Sequence, residues 1–324
     1  MNALARCLLL TLAMAGAAGQ CARAEPYPNR PVTLVVPFPP GGAIDILARQ
    51  MAQKLTQRLG KPFVVDNRPG AGGVTAAIGL ARAEPDGHTL MMTISAVMTI
   101  NVTLYKKLPY DPVADFVPIA MPAATPFVLV VNPSLPVQSV TDLVKLAKQE
   151  PGRLSFAVAG PGQQVLGELF KTMTGIEFAQ VPYRGTPAAL TDIVAGHVQG
   201  MFCDIPPAIG LITEGKLRAL GVTTTRRLPA VPEIPPLSEA GVPGYDAQSW
   251  LMVVAPTGTP TDVVERLHGE IKSIMAQPDV TEAVARLGIV PIDTPSVAEL
   301  RQFVKSEIDR WGKLVHQAGI AGSQ

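Results

Sequence analysis

Val32-Thr33-Leu34-Val35-Val36, then Pro37-Phe38-Pro39-Pro40-Gly41-Gly42, then Ala43-Ile44-Asp45-Ile46-Leu47-Ala48-Arg49-Gln50-Met51 is the stretch on which the fold turns. Its first five residues are an apolar, mostly β-branched run bounded by prolines, the pattern of a strand buried in a parallel sheet. Ile44, Leu47, Ala48, Met51 and Leu55 then recur at helical spacing. Between strand and helix, two glycines let the backbone turn tightly and approach another group closely. The first amides of a helix have no partner within it, so they are free to hold an anion. A strand, a glycine turn and an open helix start make a small-molecule site, usually for a carboxylate or a phosphate.

The same unit recurs along the chain. Phe63-Val64-Val65 reads as a strand running into Asp66-Asn67-Arg68-Pro69-Gly70-Ala71-Gly72-Gly73, with a small-residue helix from Val74 to Ala83. Thr89 to Ile94 is a third strand, ending at Ser95. Three such units in a row imply a parallel sheet with helices on its faces. Ligands then bind at the carboxyl ends of the strands, which puts Gly41-Gly42, Gly72-Gly73 and Ser95-Ala96 on one edge. A proline-rich link is expected from Pro109 to Pro126.

The α/β rhythm restarts at Phe127–Val131. A helix over Val140–Gln149 follows, with Ser139 or Thr141 near its cap, then a strand over Leu154–Val158. Ala159-Gly160-Pro161-Gly162-Gln163-Gln164 leads into a helix through Val165, Leu169 and Phe170, a second glycine turn of the same kind. Phe178–Tyr183 is a strand followed by Arg184-Gly185-Thr186-Pro187 and a helix from Ala188. Val198–Asp204 is a strand ending in an acid before Pro206-Pro207, and Leu217–Thr223 continues the sheet. Leu228 to Gly244 reads as an irregular connection. Ser249–Pro256 is a strand that returns to the first lobe. Helices near Val263–Gln277, Val280–Leu287 and Val297–Ala318 complete the chain, with Leu300, Phe303, Val304, Ile308, Trp311 and Val315 as a packing stripe. The expectation is two α/β lobes: residues 25–125 with 250–324, and residues 126–249. Two strands, near Pro126 and Trp250, join them across a cleft.

Composition suits this size and class. The chain has 324 residues, 47% hydrophobic and 16% charged, enough apolar material for two ordinary cores. Arg6, the apolar run Cys7–Ala18 and Ala22-Arg23-Ala24 have the form of a secretory signal cleaved after Ala24. Cleavage leaves 25 basic against 26 acidic side chains, a formal charge of −1, and no electrostatic case for nucleic acid or a membrane surface. Cys7 and Cys21 leave with the signal. Cys203 then has no disulfide partner and reads as a small buried apolar residue.

Enzyme motifs are scarce. No G-x-S-x-G elbow, no phosphate-binding P-loop and no histidine pair at metal spacing occurs. The sequence implies no cofactor and no metal. Asp45, one turn into its helix, reads equally as dipole compensation or as a ligand-site acid that orders the glycine loop or accepts from a ligand amine. Asp204 ends a strand at the cleft, where it caps the next turn or touches ligand. Arg184 has the placement to clamp a carboxylate bidentately or to sit on the surface.

These residues form longer, familiar motifs. Tyr27-Pro28-x-Arg30-Pro31, Val35–Gly42 with Asp45, Asp66–Gly73, Pro85–Leu90, Val181–Gly185, Gly215–Leu220, Glu239–Tyr245 and Ala255-Pro256-x-Gly258-Thr259-Pro260 resemble the Bug family over essentially the whole mature chain. These are the periplasmic substrate-binding proteins of tripartite tricarboxylate transporters. The resemblance implies a two-lobe periplasmic-binding-protein fold (a Venus flytrap) with two crossover strands at the hinge, and a periplasmic receptor for a small organic acid that serves membrane transporter subunits. It implies that the loop matching Phe38, Pro39, Pro40, Gly41, Gly42 and Ala43 binds one ligand carboxylate through backbone amides, often with two ordered waters. Ser95 and Ala96 would join that wall. The run Ala159 to Val165, with Gly160, Gln163 and Gln164 foremost, and Arg184, Gly185 and Asp204 would form the opposite one. The family's second-lobe loop commonly reads Ser-x-Gly-x-Gly-x-x-x-His-Leu. Here Ala159 and Val165 replace its serine and histidine, which implies a less polar pocket and a monocarboxylate with an apolar or aromatic body. A monomer is expected. Competing readings are a secreted enzyme acting through Asp45, Asp204 and Arg184, and a receptor addressing a sensor kinase.

Overall fold

The computed structural model describes residues 27–324. The expected signal peptide, its cleavage after Ala24, Cys7 and Cys21 lie outside the described residues.

Two sheets carry the molecule. The first is built from β1 (Val32–Val36), β2 (Phe63–Asn67), β3 (Thr89–Ile94), β4 (Phe116–Thr125), β10 (Ser249–Pro256) and the short β11 (Val290–Pro291), in the order β11-β4-β10-β3-β1-β2. β1 pairs parallel with β2 and β3, as the repeated strand–loop–helix units require. β10 runs antiparallel between β3 and β4. The second sheet has the order β7-β6-β8-β5-β9, from β5 (Phe127–Val131), β6 (Ser155–Val158), β7 (Ala179–Pro182), β8 (Gly200–Asp204) and β9 (Arg218–Val222).

Helices cover the sheet faces. α1 (Ala43–Leu59), α2 (Val74–Ala81) and, beyond a π-turn over Ala96–Ile100, α3 (Asn101–Leu104) belong to the first half of the chain. α1 buries Ile44, Leu47, Ala48, Met51 and Leu55 against the sheet, the stripe that its spacing specifies. It ends at Gly60, in the left-handed conformation at φ 73° that glycine adopts without a Cβ penalty. The second sheet carries α4 (Val140–Gln149), α5 (Pro161–Thr174), α6 (Thr186–Val194) and α7 (Ile205–Thr213). Ser139 Oγ accepts from the Asp142 amide at 3.1 Å and caps α4. α8 (Thr261–Met275), α9 (Pro278–Arg286) and α10 (Val297–Gln317) return to the first sheet.

The chain crosses between sheets twice. β4 and β5 are separated by Pro126 alone, and β10 returns at Ser249, which pairs with Thr125. The crossings therefore lie side by side, and Thr223 after β9 bridges them, its Oγ1 accepting from the Phe127 amide at 3.0 Å and its carbonyl from the Ala247 amide at 3.1 Å. The last helix adds a third link. Leu300 and Val304 pack with Trp250, Met252 and Val254 on the first sheet. Trp311 and Val315 share a core with Leu166, Leu169 and Phe170 of α5. Glu307, buried in the middle of α10, accepts from the indole N–H of Trp250 at 2.9 Å and of Trp311 at 3.1 Å.

The π-turn over Ala96–Ile100, α3 and β11 have no counterpart in the sequence reading, and two longer elements also depart from expectation. The link between Pro109 and Pro126 contains β4, ten residues long and buried throughout. A strand enclosed on both faces shows no alternation. Its two prolines, Pro118 and Pro122, cannot donate to a ladder and disguise it further. The pairing with β10 shifts register around Val253 and Val254, where Pro118 is accommodated. α7 was not expected, because Pro206-Pro207 reads as a break. Both prolines occupy the helix's first turn, where a missing N–H costs nothing.

Candidate functional site

The carboxyl ends of strands from both sheets meet around one internal cavity of about 60 Å³. At roughly 10–15 Å³ per water position, that is space for about four waters, the scale of a small molecule. Phe38, Pro39, Gly42, Ala43, Ser95 and Ala96 line it from the first lobe, and Ala159, Gly160, Gln163, Gly185 and Asp204 from the second. All eleven were singled out in the sequence, and the fold brings them together.

Three helices open on this cavity with glycine at the N-cap and no side chain satisfying the first amides. These are α1 at Gly42, α5 at Gly160 and α6 at Gly185. Their free N–H groups and dipole ends favour negative charge. Among the lining residues no lysine, arginine or histidine appears, and Asp204 is the one ionisable side chain.

Asp45 stands behind the first loop and is buried. Its Oδ2 accepts from the Gly41 amide at 3.0 Å and from Arg49 Nε at 2.9 Å, and its Oδ1 from Arg49 Nη2 and Asn67 Nδ2 at 2.9 Å. Asn67 Nδ2 also donates to the Phe38 carbonyl at 2.9 Å. Burial by itself would raise this carboxyl, but the bonds from Arg49, Asn67 and the Gly41 amide outweigh it and hold the group below the usual carboxylate range. Asp45 braces the loop and is absent from the cavity wall. Gly41, at φ 89°, takes the turn that this brace requires.

Asp204 is arranged differently. It occupies the N-cap position of α7, yet its carboxylate caps no amide. One oxygen accepts from Thr186 Oγ1 at 3.2 Å, and Thr186 in turn accepts from Gln163 Nε2 at 3.5 Å. Burial pushes the carboxyl up to about 6, with the Thr186 hydroxyl and the residue's own amide opposing in part. Its neighbour Cys203 is a buried free thiol, raised by burial and by Asp204.

Besides Asp45, five residues singled out in the sequence lie elsewhere. Pro40 and Gly41 belong to the loop but do not line the cavity. Gln164 and Arg184 line an outer cavity of about 630 Å³ with Tyr105, Tyr183 and the glycine loop Gly70–Gly73, on the far side of Phe38 and Pro161. Arg184 is exposed there. Val165 is fully buried in the second-lobe core, so a histidine's absence at that position does not strip the cavity wall. Gln163, Thr186 and Asp204 make that wall polar, contrary to the expectation drawn from Ala159 and Val165.

The sequence reading missed Ile44, Ile94, Thr125, Phe127, Thr186, Pro187, Ser249 and Leu251, whereas Pro161 and Gly162 fall within the run it placed on the second-lobe wall. Thr125, Phe127, Ser249 and Leu251 come from the crossover strands, and Ser249 Oγ shares a 2.7 Å hydrogen bond with Ser95 Oγ at the cavity floor. Thr186 carried a local signal: it follows Gly185 at a helix start.

Across the cleft, prolines of one lobe sit on glycines of the other. A Cβ at Gly185 would stand 3.1 Å from Pro39 Cγ, one at Gly41 3.3 Å from Pro187 Cγ, and one at Gly72 2.7 Å from Pro161 Cγ. The lobes are closed on each other.

Residues 47–320 match the family model for the tripartite tricarboxylate transporter family receptor. The chain belongs to that family. This receptor is 37% identical over 300 residues to the protein BugT of Bordetella pertussis, covering 91% of each chain. Its structure is similar to that of Rpa4515 of Rhodopseudomonas palustris, solved with adipate, at TM-score 0.88 and 39% identity over 91% of this chain and 99% of that one. MatC of the same organism, solved with bound malate, is similar at TM-score 0.84 and 33% identity over 89% and 100%. The receptor thus has the two-lobe periplasmic-binding-protein fold, and its family is one of solute-binding receptors.

Among the described residues no helix is long and apolar enough to cross a membrane, and no three potential metal ligands cluster.

Proposed function

We propose that this receptor captures a small organic carboxylate in the periplasm and presents it to a tripartite tricarboxylate transporter. The observation that carries the reading is the convergence of three uncapped helix starts from two lobes on one cavity without a basic side chain. Amides of Gly42 and Ala43 hold one carboxylate, and the second-lobe loops hold the rest of the ligand. Charge-assisted bonds to preorganised amides and exclusion of water supply the affinity. Hinge closure about the paired crossings at Pro126 and Ser249 buries the ligand and forms the face a transporter reads. The adipate and malate found in its relatives support a carboxylate as cargo.

The protein acts by binding, without turnover. Asp204 has Thr186 and Gln163 as neighbours, and no second titratable group lines the cavity to form an acid–base pair. The exposed large apolar side chains among the described residues, Val64, Val113 and Val194, lie on separate segments, which supports a monomer.

Isothermal titration against succinate, malate, adipate, 6-hydroxyhexanoate, benzoate and 4-hydroxybenzoate at fixed salt tests the reading. Micromolar or tighter binding of at least one acid is expected, with the acid recovered unchanged. Absence of binding across the panel, together with native mass spectrometry showing no retained acid, overturns it.

A further inference from the structure

The second-lobe end of the cavity presents a carboxyl group where a receptor for a doubly charged acid would be expected to present a cation. We infer that Asp204 selects the far end of the ligand: the receptor takes an acid whose second polar terminus is a hydrogen-bond donor, and takes a dicarboxylate only with one proton shared between that terminus and Asp204. This rests on the carboxylate-receptor reading above and names the class of acid within it.

The geometry leaves one oxygen of Asp204 open. Asp204 lines the cavity, its Oδ2 receives the Thr186 hydroxyl, and its Oδ1 has no side-chain partner among the described residues. Thr186 is itself committed, donating to Asp204 and accepting from Gln163. A ligand group reaching this end therefore meets an acceptor. A hydroxyl, an amide N–H or a protonated carboxyl satisfies it; a bare carboxylate sets two like charges side by side in a site with little water.

No ionisable side chain packed around β8 is free to neutralise Asp204. β5, β6 and α7, which pack on β8, carry no ionisable side chain. α6 carries Asp192, occupied by the Tyr183 hydroxyl at 2.7 Å. α5 carries Glu168 and Lys171, paired with each other at 3.0 Å. No titratable side chain of the first lobe lines the cavity. The position of the Asp204 titration, raised by burial to about 6, agrees with a carboxyl able to gain a proton when a second carboxylate arrives.

The experiment compares length-matched ligands: adipate with 6-hydroxyhexanoate, and terephthalate with 4-(hydroxymethyl)benzoate. Titrations run from about pH 6 to about pH 8.5, in buffers of different ionisation enthalpy that report protons taken up. Dicarboxylate binding is expected to take up close to one proton and to weaken about tenfold per pH unit. Binding of the hydroxy acids is expected to stay level and take up none. Asp204→Asn, which keeps the shape of the side chain, is expected to abolish the uptake and flatten the dicarboxylate profile. Binding of the hydroxy acid alone at every pH also supports the inference. Equal pH profiles within each pair overturn it, as does a dicarboxylate bound without proton uptake by the unmodified receptor, a result that needs no variant. Failure of all four acids, alongside failure of the wider panel, removes the receptor reading itself, so the two failures are distinguishable.

Discussion

Asp45 and Asp204 stand on opposite sides of the same cavity, each near the start of a helix, and they do opposite things. Asp45 is saturated by Arg49, Asn67 and the Gly41 amide, and its charge goes to the loop it holds. Asp204 has one hydroxyl and its own amide for company, and it lines the cavity. The same residue type becomes a strut in one lobe and a recognition surface in the other. The difference lies in the donors within reach: four N–H groups from three other residues around Asp45, against one hydroxyl from another residue and its own amide around Asp204.

The largest effect that distinguishes them is removal of the strut. Asp45→Ala leaves the Gly41 amide without its acceptor and takes the carboxylate acceptor from Arg49 and Asn67, which keep only their bonds to Asn67 Oδ1 and the Phe38 carbonyl respectively, and is expected to cost about 2 kcal/mol of stability. Thermal unfolding measures this, and titration with a bound acid should show affinity down at least tenfold. Next comes Asp204→Asn in the ligand-free protein, with the opposite sign. The folded carboxyl titrates at about 6 against an ordinary 3.8. Ionising it in the fold therefore carries a penalty that is absent below about pH 4 and complete above about pH 6. The variant is expected to be more stable by about 2 kcal/mol at pH 8 and unchanged at pH 4, a value trimmed for the water in the cavity. Asp45, whose carboxyl is held low, has the reverse profile: its contribution is present above the unfolded value and fades as acid protonates it.

Gly72→Ala sharpens the comparison at the level of whole lobes. Its Cβ would meet Pro161 of the other lobe only when the cleft is shut. A cost to closure of about 1 kcal/mol is expected, read as several-fold weaker acid binding and a larger radius of gyration by X-ray scattering with ligand present. Adding Pro161→Ala should restore both. Arg184→Ala is expected to do least, within about threefold in affinity, because Arg184 is exposed on the outer cavity.

Much of this was legible in the sequence, and the limits have physical causes. β1, its glycine turn and α1 were readable because each obeys a local period and the punctuation between them is glycine and proline. β10 was readable to the residue, Ser249 to Pro256, as an unbroken apolar run. β4 was hidden because a strand buried on both faces needs no alternation. α7 was hidden because Pro206 and Pro207 break a helix anywhere but at its start. On the cavity, positions fixed by their own turn were found: Gly42, Ala43, Gly160 and Gly185. Ser249, Thr125 and Phe127 were missed because only the pairing of two crossings distant in sequence sets them on the cavity wall. Val165 and Arg184 were misplaced for one reason. Helical phase decides which side of α5 or of the turn before α6 faces the cavity, and a motif match carries no phase.

Pro39 over Gly185, Pro187 over Gly41 and Pro161 over Gly72 make up the seam on which the halves meet. A proline ring, already locked into the chain, has no rotamers to surrender when it is pinned, and glycine has no side chain at all. Shutting such jaws freezes almost nothing that was moving, so the grip on the ligand is not discounted by the ordering of long side chains.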